Sequence, residues 1–254
     1  MDRSLDLSGC SLLAVFAHPD DESIACGGLL AYCAERGARV TLLCATHGES
    51  CSGVRDDIMF ETRARELAEA ARVLGIHELV LGDYPDGFLP WVSKSELEGR
   101  IAAEIRRVDP EVVVTFGDDG LYWHPDHIAI HERTTAAIES LGSDAPALYY
   151  VTMPPGSMRR IFDEYGGPLN HVQKPLLGVS NPDAFGVAAE TPTLIVDVGA
   201  CAARKLSALK CHRTQVAHGV LQLIPEHDAA RLLGIEHFHR ATVGAGTKTF
   251  IEQL

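Results

Sequence analysis

Apolar positions along the first 153 residues alternate between two periods. Residues 11–18, SLLAVFAH, form a short apolar run of buried-strand length, and ESIACGGLLAYCAERG (22–37) then reads as a helix ending at Gly37. The pair repeats: ARVTLLCATHG (38–48) is β-branched and strand-like, and RDDIMFETRARELAEAARVLG (55–75) is an amphipathic helix stopped by Gly75. ELVLGDY (78–84), EVVVTFG (111–117) and ALYYVTM (147–153) supply a third, fourth and fifth strand. Helices over 93–109 and 124–142 separate them; Pro110 follows the former, and Pro125 suits the first turn of the latter.

This rhythm of strand and helix implies parallel strands joined by right-handed crossovers, with helices on both faces. The expected fold is α/β: a Rossmann-like three-layer α/β/α sandwich around a mostly parallel sheet. The tail is less regular. Residues 153–186 are rich in Pro and Gly, so an excursion at about 153–190 is expected within a single domain spanning 1–254; TLIVDVG (193–199) reads as a strand and residues 200–215 as a helix. There is no internal repeat, low-complexity tract or clear linker.

Composition narrows the partners. The formal net charge of −13 over 254 residues argues against a nucleic-acid backbone or an anionic membrane surface. No apolar stretch reaches the roughly 18 to 20 residues a membrane span needs, and the opening residues carry no basic region or cleavage site of a secretory signal. The seven cysteines are scattered, odd in number and without a CxxC pair, which suits free thiols in a reducing cytoplasm. Apolar residues in the tail could serve a homo-oligomer interface.

The chemistry concentrates at two strand ends. AHPDDE puts His18, Asp20, Asp21 and Glu22 directly after the first strand, and GDDGLYWHPDH (117–127) follows the fourth. In a doubly wound sheet, ligands bind beyond the carboxyl ends of the strands where strand order reverses, and strands one and four flank that point. Two His/Asp clusters a hundred residues apart therefore face one crevice. Crowded carboxylates and imidazoles suit Zn²⁺, although Fe²⁺ or Co²⁺ accept the same donors. His18 and Asp21 can supply two ligands and a histidine of HPDH the third, leaving a coordination position for water. Asp20 could take that water's proton, and a leftover histidine could donate to an oxyanion or leaving group. On spacing alone, His127 and His131 are equally good donors four residues apart on a helix, and Asp118 or Asp119 could also ligate.

AHPDDE followed by HPDH resembles the LmbE/PIG-L-like family of zinc-dependent N-deacetylases. TRARELAEAARVLGI (62–76) is similar to its Arg-x-x-Glu helix, with Arg63 and Glu66; LGDYPDG (81–87) to its third-strand loop; and RKLSALKCHRTQ (204–215) to its Lys…His-x-x-Gln segment, with Lys205, His212 and Gln215. The resemblance covers most of residues 11–215 without departure in either signature. It implies His18, Asp21 and His127 as metal ligands, selecting His127 over His131. It makes Asp20 the general base, His124 the group that stabilises the oxyanion or assists amine departure, and Tyr122 an aid in polarising the amide. It implies substrate contacts for Arg63 and Asp86. Glu49 lies in the segment that follows the second strand and could also touch substrate, although a solvated loop is the commoner state of such a residue.

The activity so implied is removal of acetyl from an N-acetylglucosaminyl conjugate. The alternatives are an amidase of the same mechanism acting on a larger acyl group or thiol conjugate, and a non-catalytic sugar- or nucleotide-binding module. The intact acid, base and ligand set speaks against the module, as the missing Gly-x-Gly-x-x-Gly does against a dinucleotide. A metal-dependent phosphoesterase would more often carry two metals. ATHGESCSG (45–53) lacks the spacing of a serine-nucleophile elbow, and Cys51 has no assigned base. EHFHR (236–240) alternates its histidines as on a strand, where a surface pair is commoner than a metal site. Cys26-Gly27-Gly28 could let a helix pack closely.

Overall fold

The computed structural model describes residues 5–50, 56–166, 179 and 181–254 and arranges them on one seven-stranded sheet of order β3-β2-β1-β4-β5-β7-β6. The strands are β1 (Ser11–Phe16), β2 (Arg39–Thr46), β3 (Glu78–Tyr84), β4 (Val112–Phe116), β5 (Ala147–Thr152), β6 (Leu194–Asp197) and β7 (Ile235–Gly244). The first five are parallel, and β7 runs antiparallel to both β5 and β6. The main helices are α1 (Asp21–Glu35), α2 (Asp57–Leu74), α3 (Lys94–Val108), α4 (Gly120–Trp123), α5 (Pro125–Leu141), α6 (Ser157–Tyr165) and α7 (Ala202–Cys211), with short α8 (Arg213–Val216) and α9 (Ala229–Leu233). Helices α1, α2 and α7 pack together as one layer; α3 and α5 form the other. The expected α/β/α sandwich is therefore the observed fold.

The central strands are apolar because they are covered on both faces: β4 and β5 are buried throughout, and β1 from its second residue on. The five strands expected before residue 153 are all present, with ends shifted by two residues or fewer. The tail departs more. The helix read over 200–215 breaks at His212 into α7 and α8. Periodicity did not delimit β7, which inserts between β5 and β6. The excursion after β5 contains α6 and rejoins the body at Phe185 and Gly186, whose N–H donates to the Leu121 carbonyl at 3.0 Å. Gly186 has φ +73, and a Cβ there would lie 1.9 Å from the Met153 carbonyl oxygen, so a side chain is excluded.

Helix α1 leads away from the first motif and kinks at Cys26 (φ −147°, ψ 24°). The kink frees the amides of Gly28 and Leu29. Both donate at 2.8 Å to the carboxylate of Glu236 on β7, which acts as an N-terminal cap for the second half of the helix. The buried Lys205 ammonium of α7 balances that carboxylate at 2.6 Å. Close packing explains the Gly pair: a Cβ on Gly28 would stand 2.4 Å from Val198 Cγ2. Glu236→Ala should therefore destabilise the protein by about 3–5 kcal/mol, since it strands a buried ammonium and two amides. Urea unfolding measures this, and a loss below about 1 kcal/mol would show that Lys205 readily finds water.

Candidate active site

His18 and Asp20 follow β1, and the turn Gly120–Trp123 and the start of α5 follow β4; the β1–β4 pairing brings them together. His18 Nδ1 lies 3.1 Å from His127 Nε2. The Asp21 carboxylate completes a triangle, with Oδ2 3.4 Å from His18 Nδ1 and Oδ1 3.2 Å from His127 Nε2. All three side chains are buried.

The outer partners fix the protons. His127 Nδ1 faces the Gly120 carbonyl at 3.0 Å, which can only accept, so that nitrogen carries the hydrogen. His18 Nε2 faces Asp126 Oδ2 at 3.1 Å and Asp86 Oδ1 at 3.0 Å, so it too is the donor. The two inward nitrogens are then lone pairs in the neutral imidazoles, turned on each other and on a carboxylate. Three donors separated by 3.1–3.4 Å match ligand atoms placed about 2.0–2.2 Å from one tetrahedral ion. The residues therefore fit a metal. His18, His124 and His127 also form a group able to hold an ion, as do His18, Asp86 and Asp126. Burial opposes a charge on His18, but Asp126, Asp21 and Asp86 outweigh it and raise its pKa well above the ordinary value, so the environment favours positive charge here. Burial likewise opposes ionisation of Asp21, yet the two imidazoles hold it far below the usual carboxylate range.

Asp20 stands beside this triangle with an uncommon left-handed backbone (φ 111°, ψ −26°). Its N–H donates to Glu22 Oε2 at 3.1 Å. Arg63, on α2, donates to Asp20 Oδ2 at 3.2 Å, to the Pro19 carbonyl at 2.6 Å and to the Gly48 carbonyl at 2.7 Å. Burial pushes the Asp20 carboxyl up to about 7 against the pull of Arg63, with Asp21 adding to the rise. His124 caps α5 by accepting the Asp126 N–H on Nδ1 at 3.2 Å, which leaves Nε2 to carry the hydrogen. Burial, with repulsion from His127 and His18, lowers it to about 4. Burial raises the Tyr122 phenol well above its usual value.

A pocket of about 480 Å³ opens over these groups, lined by His18, Asp20, Arg63, Asp86, Tyr122 and His124, with Gln215 on its wall. Asp86 is tied on both oxygens, to His18 and to the Ser50 amide at 2.8 Å. Glu49 is buried rather than solvated: Oε1 accepts the Asp86 N–H at 3.3 Å and Oε2 has no partner among the described residues. Its contact is with the backbone of Asp86, and it lies outside the pocket lining. His131 turns away to the Phe116 carbonyl at 3.0 Å. Asp119 caps the Leu121 amide, and Asp118 is exposed. His237 and His239 lie on β7 and join no metal-capable group among the described residues. Lys205 serves the α1 kink instead of the pocket. Cys51 lies outside the described residues.

Two residues of importance escaped the sequence reading. Asp126 accepts from His18 Nε2 and also from the Gly87 and Leu89 amides at 2.8 and 3.1 Å, joining the β3 loop to the β1 motif. Glu22 is fully buried and receives His212 Nε2 at 2.8 Å besides the Asp20 amide. Burial would lower His212, but Glu22 outweighs it and the imidazole is raised. The available signal for Asp126 was its place in HPDH, since a ligating histidine needs an outer carboxylate.

Residues 13–138 match the family of GlcNAc-PI de-N-acetylases, PIG-L. A 1D-myo-inositol 2-acetamido-2-deoxy-alpha-D-glucopyranoside deacetylase of Thermomonospora curvata is 34% identical over 243 residues, covering 81% of this chain and 80% of the relative. The chain belongs to the PIG-L family. It is a hydrolytic enzyme of the deacetylase type, acting on an amide bond. The structure of an N,N'-diacetylchitobiose deacetylase from Pyrococcus horikoshii superposes with TM-score 0.62 at 19% identity, over 91% of this chain and 83% of that one. So does a 4-carboxy-2-hydroxymuconate hydratase from Pseudomonas putida KT2440, with TM-score 0.62 at 18% identity over 94% and 99%. The PIG-L fold thus carries more than one named activity, and the site residues must separate them.

If Asp126 orients His18, Asp126→Ala should weaken divalent-ion affinity by about 10–100-fold, whereas His131→Ala should leave it unchanged. Competition with a chelating dye reads both. Equal affinity in wild type and Asp126→Ala would mean that His18 is held by its neighbours alone.

Proposed function

We propose that this PIG-L protein is a zinc-dependent N-deacetylase that releases acetate from an N-acetylglucosaminyl conjugate. The observation that carries the reading is the triangle of His18 Nδ1, His127 Nε2 and the Asp21 carboxylate, with the free oxygen chemistry of Asp20 beside it. The relative from Thermomonospora curvata, named for an acetamido-glucopyranoside of inositol, supports the substrate class.

His18, Asp21 and His127 would hold the ion. Zinc supplies Lewis acidity there, making water nucleophilic near neutral pH and polarising an amide carbonyl. Asp20 accepts the proton lost by water as the C–O bond forms. It then returns a proton to the amide nitrogen as the C–N bond breaks, leaving acetate and a free amine. A carboxyl lifted to about 7 by burial suits both halves of that exchange. His124 is neutral, with its remaining N–H on Nε2, so it donates a hydrogen bond to the developing oxyanion; the proton for nitrogen comes from Asp20. Tyr122 keeps its phenolic hydrogen and can donate to the same oxygen. Arg63 holds Asp20 and its loop through three donated bonds while forming part of the pocket wall. Asp86 has lone pairs left for a sugar hydroxyl.

Asp20→Ala should retain zinc while cutting turnover by about 10²-fold or more, the scale of a lost general base. Acetate release and atomic emission on the same sample separate the two effects; undiminished turnover would remove Asp20 from the reaction. His18→Ala should instead lose the metal, and a chelator should abolish wild-type acetate release from N-acetylglucosaminyl substrates. A full zinc complement in His18→Ala would defeat the ligand assignment.

A further inference from the structure

A second cavity, of about 210 Å³, opens where β5 ends and β7 begins, and it shares no lining residue with the pocket over Asp20. Its body is apolar: Ile24, Val151, Met153, Met158 and Leu233 are buried residues of its wall. Its charged groups are unbalanced. Glu236 is the one carboxylate among the described residues that line it, against Arg160, Lys205 and Arg231. That surplus of cations stands out in a chain with 35 acidic and 22 basic residues.

Hydrogen bonding shows which capacity is spare. Glu236 is fully engaged: Oε1 accepts the Gly28 amide at 2.8 Å and the Lys205 ammonium at 2.6 Å, and Oε2 accepts the Leu29 amide at 2.8 Å. Lys205 carries three N–H groups but has a single hydrogen-bond partner among the described residues, Glu236, although the side chain is buried. Arg231 is tied to Glu164 at 2.9 Å and to Asp228 at 3.0 Å. Arg160 is exposed and forms no ion pair among the described residues. Thr152 is a further buried residue of the wall, and its Oγ1 has no hydrogen-bond partner among the described residues. The first residues of α6, Ser157 and Met158, add the positive end of a nine-residue helix that lacks a side-chain cap. The unused groups are chiefly donors. Donors beside an apolar wall call for a ligand whose acceptor is negatively charged.

We infer that this cavity is a binding site for a small organic carboxylate, with the charged end on Lys205 and Arg160 and the apolar body against Ile24, Met158 and Leu233. Size sets the body. A dry cavity of about 150 Å³ takes benzene, so about 210 Å³ fits a molecule of the size of benzoate or hexanoate. An inorganic anion would leave the apolar wall in water, and a neutral apolar molecule would leave the donors unused. The site does not depend on the acetamido-sugar reading. Helix α1 belongs to both places, with Asp21 in the His/Asp cluster and Ile24 on the cavity wall.

The chain's four methionines make the test local. Met153 and Met158 line this cavity, whereas Met59 lines the pocket over Asp20. Methyl NMR of the full chain labelled at methionine, with Met158→Leu for assignment, therefore tells which site fills. The probes are benzoate, hexanoate, benzyl alcohol and inorganic phosphate. Both carboxylates should shift the Met153 and Met158 methyls saturably. Benzoate should bind about 10-fold more tightly than benzyl alcohol, the scale of a charge-assisted hydrogen bond. Arg160→Ala, a change at an exposed side chain, should weaken the carboxylates by about the same factor and leave benzyl alcohol unchanged. No saturable shift at Met153 and Met158, or carboxylate shifts confined to Met59, would overturn the site. Benzyl alcohol binding as tightly as benzoate, with no effect of Arg160→Ala on either, would overturn the anionic end of the ligand. Phosphate binding as tightly as benzoate would overturn its apolar body.

Discussion

Three electron-rich atoms face one another where β1 and β4 end. His18 Nδ1 and His127 Nε2 are 3.1 Å apart, and a carboxylate of Asp21 closes the gap. Neutral imidazoles in this arrangement repel, and a buried carboxylate without a counter-charge is costly. Positive charge shared at its centre would offset both costs, and the carboxylates around His18 favour such charge. Much of the surrounding architecture holds the donors in that unfavourable grouping: Gly120 and Asp126 orient the two rings from behind, and Asp126 also fastens the β3 loop.

A second layer of buried charge organises the neighbouring Asp20. Asp20 occupies a left-handed conformation because Glu22 receives its amide and Arg63 grips its carboxylate and the Pro19 carbonyl. Glu22 also engages His212, and Glu66 of α2 accepts the Thr214 amide at 3.1 Å. These contacts draw the segment carrying Gln215 to the pocket wall. Further off, Glu236 and Lys205 perform an analogous balancing at the α1 kink. The carboxyl-terminal segment thus contributes supports to a pocket whose His/Asp cluster follows β1 and β4.

The similarity to both a deacetylase and a hydratase at equal TM-score places the burden of function on side chains rather than on the sheet. In this molecule the pocket is lined mainly by polar groups, among them His18, Asp20, Arg63, Asp86 and His124.

Local pattern was sufficient for the parallel half of the sheet. Runs such as VVVTF and LLAVF bury both faces, and amphipathic helices between them leave one way to pack. The meeting of the His-Pro-Asp-Asp-Glu and His-Pro-Asp-His segments followed from that topology, because adjacent parallel strands put their carboxyl ends side by side. Spacing left His127 and His131 equivalent; the resemblance selected His127, and tertiary structure turned His131 to the Phe116 carbonyl. Only the folded chain could bury Glu49, make Asp126 a partner of His18, or assign Lys205 to a helix kink, since each depends on an atom from a distant element. The insertion of β7 between β5 and β6 was beyond periodicity for the same reason: antiparallel pairing at a sheet edge is settled by what packs beside it, a long-range property no local window contains.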